Sequence, residues 1–278
     1  MNKLSLKFWS CQFYTWVTSQ LMNELDEHDL SRSAVVFSPH FDDETLGCGG
    51  TIIKKKKAGA NIKIVFMTDG SKSHRHLIAE DQLRTIRATE SVAVCRLLGL
   101  DVHDIFFFGF EETKLKQHLR SATNKVTEVL LREQPEQIFI PYFREAPSDH
   151  FATNTAVLSA LRLYRKNILV YEYPIWFWQC WPWVSIPKHS LRAMVAGLRK
   201  SFVSGLDLIK NFRCGVYIGD VLELKRTAMD QYKSQMTRLI AHPHWMTLTD
   251  VSDGEFLKCF FREYEVFYQH NFQDENEL

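Results

Sequence analysis

The sequence predicts an α/β fold, in which helices cover both faces of a mostly parallel sheet. The first indication is that short β-rich runs alternate with helical patterns from residue 34 to residue 173, and strand, helix and strand in this repeated order build parallel sheets. The second is that two of the helical patterns close on Gly59 and Gly99, as helices commonly do. The third is the composition, because 45% hydrophobic and 24% charged residues in a chain of 278 are typical of a globular protein with a substantial core.

The elements follow one another in a regular order. Residues about 4 to 25 carry apolar side chains at helical spacing and are predicted to form an amphipathic helix that packs on the sheet. The predicted strands and helices after it alternate along the chain, with strands at 34–37, 62–67, 104–108, 137–140 and 168–173, and helices at 44–58, 80–98, 121–132 and 151–163. This arrangement is Rossmann-like, so ligands are expected beyond the carboxyl ends of the strands.

An aromatic segment follows the last of these strands. Residues 174–184 read PIWFWQCWPWV and hold four of the seven tryptophans and two prolines. Two prolines in so short a span prevent a regular helix, so we expect an aromatic lid or wall. The four tryptophans are expected either to line a substrate site, because aromatic rings stack on sugars and acyl chains, or to cover the sheet or a partner.

The rest of the chain is predicted to be mainly helical. Residues 191–210 are amphipathic and moderately basic, and residues 221–239 are predicted to form one helix with three basic side chains, including Lys225, on its polar side. No internal repeat or low-complexity linker divides the sequence. We therefore predict a single domain over residues 1–278, with an α/β core at 30–173 and a helical and aromatic C-terminal elaboration at 174–278.

Charge and cysteine usage exclude several classes of protein. The 34 basic and 33 acidic residues leave a net charge of +1 with no basic arm, which argues against nucleic-acid binding. The six cysteines form no Cys-x-x-Cys pair and suit a reducing compartment. We read no export signal and no run of about 18 apolar residues, so we expect a cytoplasmic protein without a transmembrane helix. The N-terminal helix leaves peripheral contact with a membrane surface as an alternative to packing on the sheet.

Candidate metal ligands follow two of the predicted strands. The strand AVVFS runs directly into PHFDDE at the start of a helix. Imidazole nitrogen and carboxylate oxygen both suit Zn²⁺, and His40 and Asp43, three residues apart on this turn, can converge on one ion. His150, in the loop before a later helix, is the natural third ligand. On spacing alone, a solvated helix N-terminus is an equal alternative, because Asp42 and Glu44 would also favour that position electrostatically.

Several ordered motifs resemble the LmbE/PIG-L family of zinc-dependent de-N-acetylases. The family's amino-terminal signature, usually written PHPDDE, is similar to PHFDDETLGCGGTI, its second strand to KIVFMTDG, its R-x-x-E helix to RATESVAVCRLLGL, and its later Asp-His motif to SDHFAT. The resemblance covers about residues 34–160. It implies an enzyme, a hydrolase of linear amide bonds that removes an N-acetyl or similar acyl group from an N-acetylglucosamine-like amino-sugar conjugate.

The resemblance also implies roles for individual residues. By it, His40, Asp43 and His150 bind one Zn²⁺ per chain. Asp42 is then the general base, which takes a proton from zinc-activated water and gives it to the departing amine. Asp149 belongs to the catalytic set as an acid that holds a neighbouring group in place.

Two further residues are implied to contact the substrate. Arg87 falls at the family's substrate-contacting arginine, and Glu44 is expected at the mouth of the site. An ion pair of Arg87 with Glu90 on the helix surface is the alternative, because residues three apart on a helix are neighbours.

One departure from the family pattern bears on mechanism. The family commonly has His-Pro-Asp-His where this chain reads Pro147, Ser148, Asp149, His150, so the first histidine is missing. Three explanations stay open: zinc and Asp42 suffice for catalysis, another residue takes the place of the missing histidine, or the activity is weak. The histidines of AHPHW, residues 242 and 244, are candidates for the substitute. The family's downstream acid is also altered, at residues 111–113.

The alternative function is a catalytically weak or silent member that binds a glycan or protein partner through the aromatic segment.

Overall fold

One mixed sheet of eight strands forms the centre of the described structure. The computed structural model describes residues 3–185 and 191–272 of the chain. The strands are β1 (Asn23–Glu24), β2 (Ala34–Ser38), β3 (Ile62–Thr68), β4 (Ile105–Phe110), β5 (Gln137–Pro141), β6 (Ile168–Tyr173), β7 (Cys214–Tyr217) and β8 (Tyr264–Phe272). The helices are α1 (Lys3–Leu21), α2 (Glu27–Ser31), α3 (Asp43–Lys57), α4 (Glu80–Leu97), α5 (Leu119–Glu133), α6 (Ser148–Tyr164), α7 (Leu191–Asn211), α8 (Leu222–Met229), α9 (Lys233–Met236) and α10 (Glu255–Lys258).

The order of the strands places a switch point beside β2. Across the sheet the order is β1-β7-β8-β6-β5-β2-β3-β4. The five adjacent strands from β2 to β6 all run parallel to one another. Strand β8 runs antiparallel to both of its neighbours, β6 and β7. From β2 the chain adds β3 and β4 on one side, then crosses to add β5 and β6 on the other. The predicted α/β fold is confirmed, and the crevice between the ends of β2 and β5 is where such a sheet binds ligands.

Alternate residues of β2 build the core on opposite faces of the sheet. Val35 and Phe37 pack in one buried cluster with α5 and α6, whereas Ala34 and Val36 pack in the other with α3 and α4. This follows from the two-residue period of a strand. Helix α3 starts with Asp43 and Glu44 and ends with four lysines, an arrangement that suits the helix dipole.

The C-terminal part differs from the expectation in two ways. The single helix predicted over residues 221–239 is wrong, because α8 ends at Met229 and a separate short helix, α9, begins at Lys233. Between them Tyr232 leaves the helical conformation, at φ −72° and ψ 63°, and its buried hydroxyl donates to Glu44. The elaboration also contributes strands β7 and β8 to the sheet, which the sequence pattern did not indicate. The single-domain organisation stays a prediction.

Among residues 3–185 and 191–272, no helix has both the length and the apolar character needed to cross a bilayer.

Gly47 of α3 provides a test of the packing behind the site. A Cβ at Gly47 would collide with the buried ring of Tyr173, whereas a Cβ at Gly49 would lie 3.2 Å from Lys225 Cγ, at the edge of tolerated contact. We expect Gly47→Ala to lower the free energy of unfolding by about 1–3 kcal/mol, although alanine favours helices by about 1 kcal/mol. Gly49→Ala is the matched control and should be closer to neutral. Urea denaturation measures both, and equal stability of the two variants would contradict this description of the packing.

Candidate active site

Three predicted ligands converge at the carboxyl ends of β2 and β5. His40 Nδ1 lies 3.1 Å from Asp43 Oδ2, and His150 Nε2 lies 3.3 Å from the same oxygen. The centroids of the two imidazole rings are 5.2 Å apart. One candidate ligand atom from each of the three side chains lies within 4.8 Å of the others, so the cluster is a candidate metal site. His150 is the third residue of α6, not part of a loop as the sequence suggested.

The surroundings of His150 fit a bound metal ion. The side chain is fully buried, and neither ring nitrogen has a hydrogen-bond partner within the described residues. Buried polar atoms are nearly always partnered, so a ligand for this ring is to be expected. Two imidazoles and one carboxylate form a donor set known from catalytic zinc sites. The residues present therefore fit Zn²⁺.

Asp42 adopts a strained backbone beside the cluster. Its φ of 121° and ψ of −31° lie outside the regions that side-chain-bearing residues prefer, at a cost of about 1–3 kcal/mol. Its carboxylate lines a cleft together with His40 and Asp43, 3.8 Å from the Arg87 guanidinium. Burial, and then the negative charge of Asp43, raise the pKa of Asp42 well above its ordinary range. Such strain is concentrated at functional sites.

Asp149 holds the ring of His40. Its Oδ2 lies 3.3 Å from His40 Nε2 and accepts the Thr113 backbone N–H at 2.6 Å. Oδ1 accepts the Leu115 N–H at 3.3 Å. Burial alone would raise the pKa of Asp149, but the hydrogen bond and charge of His40 and the backbone donors lower it. The altered segment 111–113 thus supports the site through its backbone.

Glu44 lies behind the cleft. The side chain is fully buried, and Glu44 Oε1 accepts hydrogen bonds from the hydroxyls of Tyr232 and Thr45, each at 2.6 Å. Its Oε2 accepts the Asp42 N–H at 3.1 Å. The expected position of Glu44 at the mouth of the site does not match this placement. Glu44 instead holds the strained turn from beneath.

Arg87 lines the cleft, as substrate contact requires. Its guanidinium donates to the Phe41 carbonyl at 2.8 Å, and the side chain is 2% exposed. The alternative of a helix-surface ion pair with Glu90 is wrong, because Glu90 accepts hydrogen bonds from Ser234 instead. The Nε atom of Arg87 has no partner within the described part of the chain.

Glu145 is a site residue that the sequence analysis missed. Its carboxylate accepts the backbone N–H groups of Ile175, Trp176 and Phe177 at 2.6–3.1 Å. The same carboxylate lies 3.7 Å from His150 Nδ1. Glu145 thus joins a candidate ligand to the aromatic segment. The position of Glu145 shortly after β5, where ligands of such sheets bind, was the available signal.

A second histidine lines the cleft besides the candidate ligand His40, and it is not one of the expected substitutes for the missing family histidine. His74 lines the cleft, its ring stacks on Trp245 at 4.2 Å, and its Nε2 lies 2.8 Å from the Met246 carbonyl oxygen. Residues 242 and 244 are not among the residues that line this cleft of about 400 Å³. His74 follows the end of β3, so its position after a strand was the signal that could have revealed it.

The tryptophans of the aromatic segment divide between the cleft and the core. Trp176 lines the cleft and stacks on Phe256, with ring centroids 4.9 Å apart. Trp178 and Trp183 are buried and pack on each other at 5.1 Å. Trp176 therefore lies where a cleft wall was expected and Trp178 and Trp183 where a cover of the core was expected, while contact with a substrate stays a prediction.

The fold and the site together define an α/β enzyme with a histidine–aspartate centre at the switch point of its sheet. Residues 35–161 match the family model described as PIG-L, GlcNAc-PI de-N-acetylase. The match covers a little under half of the chain, and over these residues the resemblance inferred from the sequence motifs is confirmed.

Known proteins are similar over most of the chain. The diacetylchitobiose deacetylase of Thermococcus kodakarensis is 22% identical over 212 residues, which are 73% of this chain and 70% of that protein. The solved structure of N,N'-diacetylchitobiose deacetylase from Pyrococcus horikoshii superposes with a TM-score of 0.61 at 20% identity, over 97% of this chain and 94% of that one. The zinc-inhibited form of teicoplanin deacetylase Orf2 has a TM-score of 0.57 at 15% identity, over 87% of this chain and 100% of that one. At these identities the likeness to the solved structures shows the fold.

Proposed function

We propose that this protein is a zinc-dependent hydrolase that removes an N-acetyl or similar acyl group from an N-acetylglucosamine-like amino-sugar conjugate. The observation that carries the proposal is the cluster of His40, Asp43 and His150 beside the strained Asp42, in a core that matches the PIG-L family model. The deacetylases of diacetylchitobiose among the similar proteins support the substrate class.

The ligand set would hold one ion at the base of the cleft. When bound, Zn²⁺ supplies Lewis-acid chemistry, which polarises a carbonyl and lowers the pKa of a coordinated water towards about 7. His40, Asp43 and His150 would hold it. Asp149 keeps the His40 ring in place through the contact at 3.3 Å, and Glu145 lies against the ring of His150. Such supporting carboxylates orient metal-binding imidazoles.

Asp42 would move the proton. Its carboxylate lines the cleft next to the ligands, takes a proton from the attacking water, and delivers it to the amine nitrogen as the C–N bond breaks. Arg87, 3.8 Å from Asp42 and 3.8 Å from Glu112, presents a fixed positive charge to an oxygen of the substrate. Trp176 provides an aromatic wall for a sugar ring.

Metal analysis and an acetate-release assay test this function together. Protein purified without chelators should contain about one zinc per chain and release acetate from N,N'-diacetylchitobiose; removing the metal should abolish release, and zinc should restore it. His150→Ala should lose the metal, whereas His103→Ala, which changes an exposed histidine, should keep it.

Two outcomes would count against the proposal. Wild-type protein that holds no zinc after zinc is added back would refute the metal mechanism. Protein that holds zinc and binds N-acetylated sugars but releases no acetate would favour the alternative, a catalytically silent glycan-binding protein, for which Pro147 at the cleft wall is the specific observation.

A further inference from the structure

Helix α1 presents its largest aromatic side chains to solvent. Trp9, Phe13 and Trp16 are 66%, 55% and 61% exposed. Their spacing of four and three residues places them on one side of the helix. The opposite side packs on the protein through Tyr14, whose ring lies 5.4 Å from that of Trp183, and through the buried Thr18. A helix on a water-exposed surface normally turns its apolar side inward, so this orientation needs another explanation.

Helix α7 repeats the arrangement. Leu198, Phe202 and Leu206 are 51%, 67% and 41% exposed, and their spacing of four residues again places them in one row. Ser201 and Ser204 of the same helix are buried. One row of large apolar residues of this helix therefore also points away from the protein, although Leu208 of the same helix is buried.

The two rows lie on neighbouring helices. Gly205 of α7 receives the ring of Tyr14 of α1 so closely that a Cβ there would collide with it. Side by side, the helices form one exposed apolar surface, which we call the α1–α7 face and define by Trp9, Phe13, Trp16, Leu198, Phe202 and Leu206. Apolar patches of this kind mark interaction sites.

The charge of the two helices indicates what the face contacts. Their sequences carry six basic residues and one acidic residue, in a protein whose net charge is only +1. The acid, Asp207, is paired with Arg144 at 2.6 Å, and one of the six bases, Lys7, is paired with Glu255. Arg199 and Lys210 are exposed on α7. A second copy of the chain would bring two faces of equal positive charge together, whereas anionic lipid headgroups would complement them.

We propose that the α1–α7 face binds the surface of an anionic lipid bilayer, with both helices lying in the plane of the interface. Tryptophan and phenylalanine insert at headgroup depth, and flanking arginine and lysine contact the lipid phosphates. The docked face adjoins the catalytic cleft, because Trp176 lines both that cleft and a groove of about 800 Å³ formed with Val195 and Arg199 of α7. Docking therefore brings the mouth of the candidate site to the lipid surface.

Vesicle sedimentation of the full chain tests the proposal. Wild-type protein should pellet with phosphatidylcholine vesicles that contain about one-third phosphatidylglycerol, and less with phosphatidylcholine alone or at high salt. The triple variant Trp9→Ser, Phe13→Ser, Trp16→Ser should partition roughly tenfold or more weakly. Arg199→Gln with Lys210→Gln should lose the preference for anionic lipid.

The matched control changes exposed apolar residues elsewhere. Leu131 and Leu163 are 58% and 59% exposed on α5 and α6, and Leu131→Ser with Leu163→Ser should bind vesicles like wild type. Wild-type protein that stays in the supernatant with both vesicle types, or a triple variant that pellets as well as wild type, would overturn the proposal. So would a dimer in light scattering that the triple variant dissociates while vesicles are not bound, because the face would then be a self-association surface.

Discussion

Replacing Asp42 with asparagine is expected to lower kcat for deacetylation by about a hundredfold to ten-thousandfold, the range typical of a removed general base. The amide has nearly the same shape as the carboxylate but cannot accept the proton of the attacking water. The zinc content should not change, because Asp42 is not among the three candidate ligands. Single-turnover acetate release and metal analysis on the same preparation measure both properties.

The glycine variant separates chemistry from structure at this position. Asp42→Gly should lose turnover to the same extent but raise the free energy of unfolding by about 1 kcal/mol, because glycine adopts positive φ without steric cost and a buried carboxylate is removed. Denaturant titration gives this value. An asparagine variant with turnover within about threefold of wild type would refute the role of base.

Replacing Lys225 with methionine is expected to destabilise the fold by about 3–5 kcal/mol, as removal of one partner of a buried ion pair typically does. Lys225 is fully buried, and its Nζ lies 2.7 Å from Glu265 Oε1 and 2.8 Å from the carbonyl oxygens of Leu46 and Phe260. These contacts join α8 and β8 to α3, the helix that carries Asp43. The loss is therefore expected to affect the site as well as stability.

Two comparisons make this prediction specific. Lys114→Met removes a lysine whose ion pair with Glu111 is largely exposed, at 2.9 Å, and should cost less than about 1 kcal/mol. Adding Glu265→Gln to Lys225→Met should recover part of the lost stability, because the unpaired buried charge is neutralised. A cost for Lys225→Met equal to that for Lys114→Met would contradict the buried pair.

Local sequence was sufficient to place the first two candidate metal ligands together. His40 and Asp43 are three residues apart on one turn, so their approach depends on a few backbone angles next to a strand. His150 is more than a hundred residues away. It was expected near His40 and Asp43 because the carboxyl ends of parallel strands lie at the same edge of a sheet. Arg87 followed from the motif resemblance and lines the cleft.

Burial was harder to foresee. Lys225 was expected on the polar side of a long helix, and Glu44 at the mouth of the site; both side chains are fully buried. The predicted helix over 221–239 is interrupted after Met229, and Tyr232 in the break has a non-helical backbone and a buried hydroxyl that donates to Glu44. His74 was not singled out although it follows β3, and the contacts of its ring with Trp245 and Met246 became visible only in the fold.

The sequence by itself determined the α/β class, five of the strands, and the three candidate metal ligands. Hydrophobic periodicity and glycine position act within a few residues along the chain, and the more distant His150 was added by motif resemblance and by the rule that parallel strands meet at their carboxyl ends. Only the tertiary structure decided which carboxylates face the cleft, which lysine is buried, and which apolar side chains remain exposed on α1 and α7. These properties depend on segments far apart in the chain that pack against each other, and helical periodicity alone does not say which side of a helix receives a neighbour.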